Sequence, residues 1–251
     1  MSSEGAAGTP AIMTLRLCLT LALLAAALSA CDMIERAPSR PESALEFPAA
    51  DRPVPESGSG RYSNEVVRDS RGEATKVMDL ANIRPGMTVA DLGAGEGYYT
   101  VRLAERVGED GRVLAQDIDR SVLERLGERV EREGLSNISI KLGKQDDPQL
   151  PIDSFDRIFL VHVYHQVSEP YAFLYRMWPA LAEGGEVIVV EADRPTHAQG
   201  IPPPLLFCEF EAVGYHLVEY IEKPDIMGYF ARFDRGGERP EPSEIERCGN
   251  G

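Results

Sequence analysis

Apolar positions in this chain fall into two alternating patterns from about residue 88 onward. Short unbroken apolar runs are typical of strands that are buried on both faces, and longer stretches with apolar residues three and four positions apart are typical of amphipathic helices. The apolar run at residues 88–92 predicts a buried strand, and further strands are predicted at residues 112–117, 138–142, 157–161, 186–191, 215–221 and 228–233. The periodic stretches predict helices at residues 98–107, 121–133, 170–181 and 204–212.

Strands that alternate with helices predict an α/β fold with a doubly wound, mostly parallel, seven-stranded sheet of Rossmann-like type. The last two strands are separated by too few residues for a crossover helix, so we expect an antiparallel C-terminal hairpin at one edge of the sheet. The folded domain should occupy residues 61–235. Its flanks lack a periodic apolar pattern, which predicts a disordered tether at residues 31–60 and a disordered tail at residues 236–251.

One further apolar run lies near the amino terminus, at residues 17–30, and it is too short to span a bilayer comfortably. Arg16 precedes this run and small residues end it, which is typical of a secretory signal peptide over residues 1–30, with Met13 as an alternative start. The sequence LSAC at its end resembles the lipobox of bacterial lipoproteins. That resemblance implies a lipid on Cys31, which would anchor the protein to the membrane in the cell envelope, on the periplasmic side. The alternative is an apolar helix with an incidental cysteine, in a cytoplasmic protein.

The amino-acid composition favours a globular protein and argues against nucleic-acid binding. Of the 251 residues, 43% are hydrophobic and 27% are charged, as in globular proteins. The formal net charge of −15 and the lack of a Lys/Arg cluster argue against nucleic acid as a partner. The four cysteines have no CxxC spacing, so the sequence indicates neither a metal site nor a disulfide framework, and Cys208 is expected to be a small buried residue.

The segment VADLGAGEG, residues 89–97, ends the first predicted strand, where parallel α/β sheets bind their ligands. Its glycines have the spacing G-x-G-x-G, whereas a dinucleotide fingerprint requires G-x-G-x-x-G and a P-loop requires a terminal Gly-Lys-Ser/Thr. Asp91 would repel a pyrophosphate, but it would favour a ligand that carries ammonium and sulfonium groups. The loop therefore predicts a cationic ligand close to bare backbone; the alternative is an acidic glycine turn without a ligand.

An acidic residue followed by x-G-x-G-x-G resembles the first motif of the class I S-adenosylmethionine-dependent methyltransferases. The resemblance covers most of residues 61–235. The segments VYH, LPIDSFD and GIPPP are similar to those of a subgroup of small methyltransferases. The family resemblance implies S-adenosyl-L-methionine as the cofactor, with Asp117 on the ribose hydroxyls and Asp146 on the adenine amino group. The cofactor-binding residues that it implies are Asp91, Gly93, Ala94, Gly95, Gly97, Asp117, Ile118 and Asp146.

The resemblance also implies an enzyme that transfers a methyl group to a small-molecule or envelope acceptor. An oxygen or nitrogen acceptor needs a base to take its proton, and His165, after the fourth strand, is the candidate. In the alternative interpretation, His165 and Tyr164 only line or cap that loop. Position 162 is a departure from the family, because many members have an acidic or amide residue where this chain has His162. Two other functions stay open: an envelope lipoprotein that binds the cofactor without transferring methyl groups, and a protein-contact role with a vestigial cofactor site.

Overall fold

The computed structural model describes residues 40–55, 64–226 and 228–249. The chain divides into a first unit, Met1–Arg40, of which only Arg40 is described, and a second unit, Pro41–Gly251, which contains the helices and strands given below. The predicted signal peptide and the lipidation site at Cys31 therefore lie outside the described residues. Among the residues that are described, no helix has both the length and the apolar character that crossing a membrane requires.

Helices and strands alternate through most of the described chain. The helices are α1 (Glu65–Ser70), α2 (Glu73–Leu80), α3 (Tyr98–Val107), α4 (Arg120–Glu133), α5 (Pro170–Met177) and α6 (Pro203–Ala212). The strands are β1 (Thr88–Leu92), β2 (Arg112–Asp117), β3 (Ile138–Leu142), β4 (Phe155–Val161), β5 (Leu181–Glu191), β6 (Tyr215–Lys223) and β7 (Gly228–Arg235). Short 3-10 turns lie at Tyr164–Gln166, after β4, and at Trp178–Ala180, after α5.

The seven strands form one sheet in the order β3-β2-β1-β4-β5-β7-β6. Strands β1 to β5 pair in parallel, and β7 pairs antiparallel with both β5 and β6. The predicted fold class, a doubly wound and mostly parallel sheet with an antiparallel C-terminal hairpin, is confirmed. The hairpin is inserted so that its second strand, and not its first, lies beside β5.

Local sequence explains where the helices begin and end. The side chain of Asp119 accepts hydrogen bonds from two backbone amides in the first turn of α4, and Gly134 ends that helix in the left-handed conformation. The helix predicted at residues 170–181 is shorter in the structure: α5 ends at Met177 and continues only as the 3-10 turn. Pro179 explains the difference, because proline has no amide hydrogen to extend an α-helix.

Two hydrophobic clusters cover the two faces of the sheet, because successive strand residues point to opposite faces. In β1, Ala90 and Leu92 belong to the cluster that contains residues of α5 and α6, while Val89 belongs to the cluster that contains residues of α2 and α3. Both faces of the central strands are therefore buried. The loops that follow β1, β2, β3 and β4 all lie at the carboxyl edge of the parallel sheet, where the predicted site residues meet.

Residues 41–55, which we call the N-terminal strap, pack against the domain and correct part of the predicted tether. Residues 31–60 were predicted to be a disordered tether, but the strap packs on the domain, with Phe47 buried in the core and Arg52 paired with Glu209 of α6. The hydrophobic pattern did not predict this packing, because the few buried residues of the strap lie among prolines and charged residues and show neither a helical nor a strand period. The rest of the predicted tether falls outside the described residues.

A second correction concerns the predicted tail at residues 236–251. Cys248 forms a disulfide with Cys208 of α6, and both Ile245 and Cys248 are buried in the core. The backbone amide of Cys248 also donates to the hydroxyl of Tyr171. The prediction that the cysteines indicate no disulfide was therefore wrong, because the two partners are 40 residues apart and such a spacing carries no signature.

Candidate functional site

Three glycines in left-handed conformations shape the loop after β1. Gly93, Gly95 and Gly97 have φ values of +67°, +56° and +85°. A Cβ at Gly93 would lie 2.3 Å from a methyl carbon of Val163, and one at Gly97 would lie 2.4 Å from a methyl carbon of Leu126. A Cβ at Gly95 would meet nothing within 4 Å, so the space above this residue is open. Val163 and Leu126 therefore pack against the two ends of the loop, while its middle, at Gly95, is open. A ligand could lie directly against the backbone there.

Asp91 lies under this loop as a buried carboxylate. It is 3% exposed, and its Oδ2 accepts a hydrogen bond of 2.6 Å from the hydroxyl of Thr100. Burial raises the pKa of the Asp91 carboxyl to about 6. A carboxylate held out of water in this way gains from a cation placed beside it, which agrees with the predicted contact with a cationic ligand.

Asp117 and Ile118 lie at the end of β2, beside the glycine loop. The Asp117 carboxylate accepts from the backbone amides of Gly95 and Asp119, each at 3.0 Å. Two hydrogen bonds leave further acceptor positions on a carboxylate, which is what two ribose hydroxyls need. Ile118 is 39% exposed, so its side chain offers apolar surface beside Asp117. Both positions fit their predicted roles, and those roles stay predictions.

Asp146 follows β3, as the sequence predicts, but it has protein partners. Its Oδ2 accepts from the hydroxyl of Ser43, in the N-terminal strap, at 2.5 Å, and it also pairs with the guanidinium of Arg176. Burial alone would raise the pKa of the Asp146 carboxyl, yet the hydrogen bonds from Ser43 and Arg176 lower it. The strap therefore reaches the predicted adenine end of the site. The contact between Asp146 and an adenine amino group stays a prediction.

His165 lies in the 3-10 turn after β4 and is completely buried. Its Nδ1 is 2.9 Å and 3.0 Å from the two carboxylate oxygens of Glu191, at the end of β5. Its Nε2 is 3.1 Å from Oε1 of Gln199 and 3.3 Å from Nε2 of Gln166. The residue therefore lies at the predicted strand end, but both ring nitrogens have protein partners. The role of a base stays a prediction, and the alternative, that His165 lines and holds the turn, has direct support in these contacts.

Sequence reasoning missed a polar cluster beside Asp91. Glu73, at the start of α2, is completely buried and accepts from the guanidinium of Arg68 at 2.6 Å and from the hydroxyl of Tyr99 at 3.1 Å. The Nε2 of His162 lies 3.9 Å from the same carboxylate. Burial, with a further contribution from Arg68, lowers the pKa of His162 to about 3. The only signal for this cluster in the sequence was the unusual histidine after β4.

Helix α1 lies beside the glycine loop and is held by ion pairs. No residue of α1 is buried. Glu65 pairs with Arg129 of α4 at 2.5 Å, and Asp69 pairs with Arg102 of α3 at 2.6 Å. Arg129 also donates to the backbone carbonyl of Glu96 in the glycine loop. Charged contacts, and not apolar packing, therefore hold α1 against the loop.

No group of three or more His, Cys, Asp or Glu side chains in the described parts of the chain is arranged to hold a metal ion. The features that do converge are a buried carboxylate under a bare glycine loop, a second carboxylate at the next strand end, and an exposed apolar residue beside it. These features fit S-adenosyl-L-methionine, because its cationic methionine end and its ribose each meet a suitable partner.

A doubly wound sheet in this strand order, with an acidic glycine loop after β1, defines a Rossmann-like cofactor domain of the methyltransferase type. The chain belongs to the methyltransferase family: residues 83–216, more than half of its length, match the family described as "Methyltransferase domain". The predicted family is thereby confirmed, and the cofactor of that family is S-adenosyl-L-methionine.

Curated relatives cover part of the chain. It is 30% identical over 148 residues to nocamycin O-methyltransferase of Saccharothrix syringae, a match that covers 59% of this chain and 50% of that protein. It is 29% identical over 145 residues to the ubiquinone/menaquinone biosynthesis C-methyltransferase UbiE of Escherichia fergusonii, covering 57% of this chain and 55% of that protein. The chain thus spans about half the length of these relatives.

Solved structures agree on the fold. A SAM dependent methyltransferase from Aquifex aeolicus has a TM-score of 0.59 and 22% identity, and the match covers 69% of this chain and 97% of that one. The [4+2]-cyclase SpnF has a TM-score of 0.57 and 15% identity, with 72% of this chain and 68% of that one covered. At these identities the similarity shows a shared fold and not a shared reaction.

Proposed function

We propose that this protein is an S-adenosyl-L-methionine-dependent methyltransferase that acts on a small-molecule or envelope acceptor. The observation that carries the proposal is the site at the ends of β1 and β2, where buried Asp91, the bare loop from Gly93 to Gly97, and Asp117 lie together. The family match and the two curated relatives, both named as methyltransferases, support the reaction type. The relatives are named for different acceptor atoms, oxygen and carbon, so they do not define the acceptor.

When bound, S-adenosyl-L-methionine supplies a methyl group that its sulfonium already makes electrophilic. The protein then has to bind and align, and to exclude water from the reacting atoms. In our proposal Asp91 complements the positive end of the cofactor, Asp117 holds the ribose, and the glycine loop admits both. A proton on an oxygen or nitrogen acceptor would pass to Nε2 of His165, once Gln166 or Gln199 moves aside.

The alternative is a protein of the same fold that binds the cofactor without transferring its methyl group. The similarity in fold to SpnF, a [4+2]-cyclase by name, favours keeping this alternative, because the fold alone does not determine the reaction. Retention of the acidic glycine loop and of Asp117 argues against a third role, protein contacts with a vestigial cofactor site.

For localisation we propose the cell envelope, with Cys31 lipid-modified and membrane-anchored on the periplasmic side. The LSAC sequence supports this proposal, and so does the disulfide between Cys208 and Cys248, because structural disulfides persist in oxidising compartments and are rare in the cytosol. Mass spectrometry of the native protein should find Cys31 as the lipid-carrying amino terminus, and Cys31→Ser should accumulate uncleaved precursor. A native chain found in the cytoplasm with residues 13–30 still attached would contradict export.

Cofactor binding tests the proposed function directly. Calorimetry should show that the folded protein binds S-adenosyl-L-methionine and its demethylated product, S-adenosylhomocysteine. Asp117→Ala should weaken binding by about 1–3 kcal/mol, as expected for lost hydrogen bonds to a charged group. Asp110→Ala is the matched control, since Asp110 is an exposed aspartate in the turn before β2. No binding at millimolar ligand would refute the proposal; binding without methyl transfer to any acceptor fraction from the envelope would favour the alternative.

A further inference from the structure

Arg52, in the N-terminal strap, is a buried cation that sequence patterns did not single out. Its side chain has no exposed surface, and its Nε donates to the carboxylate of Glu209 at 2.9 Å. Burial lowers the pKa of Arg52, but Glu209, together with Tyr164 and Glu191, raises it, and on balance the pKa is raised. A charge is rarely placed so deeply unless it is paired and fully hydrogen-bonded.

The rest of the Arg52 guanidinium binds the backbone of the turn after β4. It donates to the carbonyl oxygens of His165 at 3.0 Å, Val167 at 3.1 Å and Tyr164 at 3.4 Å. Buried carbonyls outside the sheet ladder need donors, and here one side chain serves three of them. A guanidinium can do this because its donors form a rigid planar fork, which the single ammonium of lysine does not reproduce.

Glu209 contacts the same turn through Tyr164. Its second carboxylate oxygen accepts from the hydroxyl of Tyr164 at 2.8 Å. The neighbouring residue, Cys208, forms the disulfide with Cys248, so the helix that carries Glu209 is covalently joined to the C-terminal segment. The turn is therefore bound through its backbone by the strap and through a side chain by α6.

The residue before the turn, Val163, contacts the glycine loop. The amide of Gln166, in the turn, donates to the carbonyl of Val163 at 2.9 Å. The side chain of Val163 occupies the space where Gly93 has no Cβ. A continuous series of contacts thus runs from Arg52 through the turn and Val163 to Gly93, the first glycine of the loop.

We propose that Arg52 is a positioning residue for the cofactor site: by fixing the backbone of residues 164–167, it holds Val163 against Gly93 and keeps the loop in its binding conformation. The cofactor part of this inference rests on the proposed function, whereas the positioning of the turn does not. The N-terminal strap is therefore part of the functional domain, and removing it should impair cofactor binding as well as stability.

Two variants of the full chain separate positioning from simple charge pairing. Arg52→Lys keeps a cation beside Glu209 but loses the fork. The double variant Arg52→Met with Glu209→Gln removes both buried charges, so neither is left unpaired, and it too lacks donors for the carbonyls. Arg247→Met is the control, because Arg247 pairs with Asp51 of the same strap at 3.7 Å, on the surface.

The readouts are hydrogen exchange of the amides of residues 163–168 and calorimetry with S-adenosylhomocysteine, at a temperature where every variant is folded. We expect both Arg52 variants to exchange faster and to bind with a Kd raised about tenfold or more, the size expected for lost charge-assisted hydrogen bonds. Arg247→Met should match the wild type. Wild-type exchange in the folded variants would overturn the positioning role, and faster exchange with unchanged affinity would overturn its link to the cofactor. If the wild-type protein binds no cofactor, the proposed function fails, and the exchange comparison still decides whether Arg52 positions the turn.

Discussion

Val163 packs directly on the α-carbon of Gly93, so that a Cβ built at position 93 would lie 2.3 Å from one of its methyl carbons. Gly93 also has a φ of +67°, which residues with a side chain adopt only at a cost. Two separate physical reasons therefore require glycine here, and the contact joins the turn after β4 to the loop after β1.

We therefore expect Gly93→Ala to destabilise the fold and to lower cofactor affinity at least tenfold. Affinity should fall because either the glycine loop or Val163 must move to make room for the new methyl group. Gly86→Ala is the matched control, because Gly86 has a φ of +85° and a Cβ there would meet nothing within 4 Å. Both variants carry the cost of a left-handed alanine, about 1–2 kcal/mol. Thermal unfolding should show that shared cost, and calorimetry should show weakened binding in Gly93→Ala alone. Equal affinities would mean that the loop does not contact the ligand.

The raised pKa of Asp91 leads us to expect that cofactor binding depends on pH. The pKa of Asp91 in the folded protein is about 6, above the ordinary value of 3.8, because burial disfavours the charged form. The free energy of unfolding therefore decreases as the pH rises from 3.8 to about 6, since the carboxyl ionises more readily in the unfolded chain. A bound cation would reverse this penalty by favouring the ionised form. Affinity for S-adenosyl-L-methionine should therefore rise with pH through about 6, and it should fall about tenfold per pH unit below that value.

Calorimetry at several pH values, in two buffers with different ionisation enthalpies, measures both the affinity and the proton released on binding. Asp91→Asn should bind more weakly at neutral pH and lose this dependence. A pH slope that persists in Asp91→Asn would assign the titration to another group.

Much of the fold and of the central site could be predicted from the sequence. The predicted bounds of β1, β2, β3 and α3 are those of the structure. Strand β1 is an apolar run because it is buried at the centre of the sheet, and α3 begins directly after the glycine loop; β3, at the edge of the sheet, is only partly buried. The glycine loop could be predicted because a ligand that lies against the backbone requires residues without side chains, and the sequence shows these as regularly spaced glycines. In contrast, Arg52 contacts Glu209. Glu73 likewise contacts Tyr99 and His162. These partners are far away along the chain, and no local period records such contacts.

Disulfide reduction should destabilise the domain. Cys208 and Cys248 are 40 residues apart, and closing a loop of that size contributes about 4 kcal/mol in the chain-entropy model. A reductant should therefore lower the melting temperature of the wild-type protein. Cys208→Ser with Cys248→Ser should melt at the reduced value and should not respond to reductant. An unchanged melting temperature under reduction, with thiol labelling to show that the bond is open, would contradict a stabilising role.

Salt should loosen α1, because ion pairs hold this helix and none of its residues is buried. Raising the ionic strength to about 1 M shortens the Debye length to about 3 Å, which weakens the exposed pair Asp69–Arg102 and, to a smaller extent, the partly buried pair Glu65–Arg129. Amides of α1 should then exchange faster, and Arg129→Gln should exchange faster even at low salt. Arg132→Gln is the control on the same helix, since Arg132 donates to the carbonyl of Glu128 within α4. Salt-independent exchange in α1 would show that apolar contacts hold it.

His165 contacts the carboxylate of Glu191 through Nδ1, and this contact allows the proposed role of a base to be tested. A carboxylate only accepts hydrogen bonds, so the contact with Glu191 favours the tautomer of His165 with its proton on Nδ1. In that tautomer Nε2, which faces the side-chain amides of Gln199 and Gln166, is the nitrogen that could take a proton from an acceptor. If His165 is the base, His165→Ala should lower turnover by ~10²–10⁴-fold. Cofactor affinity should change little, because Arg52 binds the backbone carbonyl of residue 165 and not its ring.

Glu191→Gln separates a base from a structural histidine. The amide can donate to Nδ1, which would favour the tautomer with the proton on Nε2 and remove the base while preserving the shape of the site. Nitrogen NMR of the His165 ring should show this exchange of tautomers, and single-turnover methyl transfer should fall with it; Glu222→Gln, an exposed change on β6, should alter neither. A changed tautomer with unchanged turnover would make His165 a structural residue. Equal loss of binding and turnover in His165→Ala would give the same answer, because a residue that only supports the turn affects both through Val163.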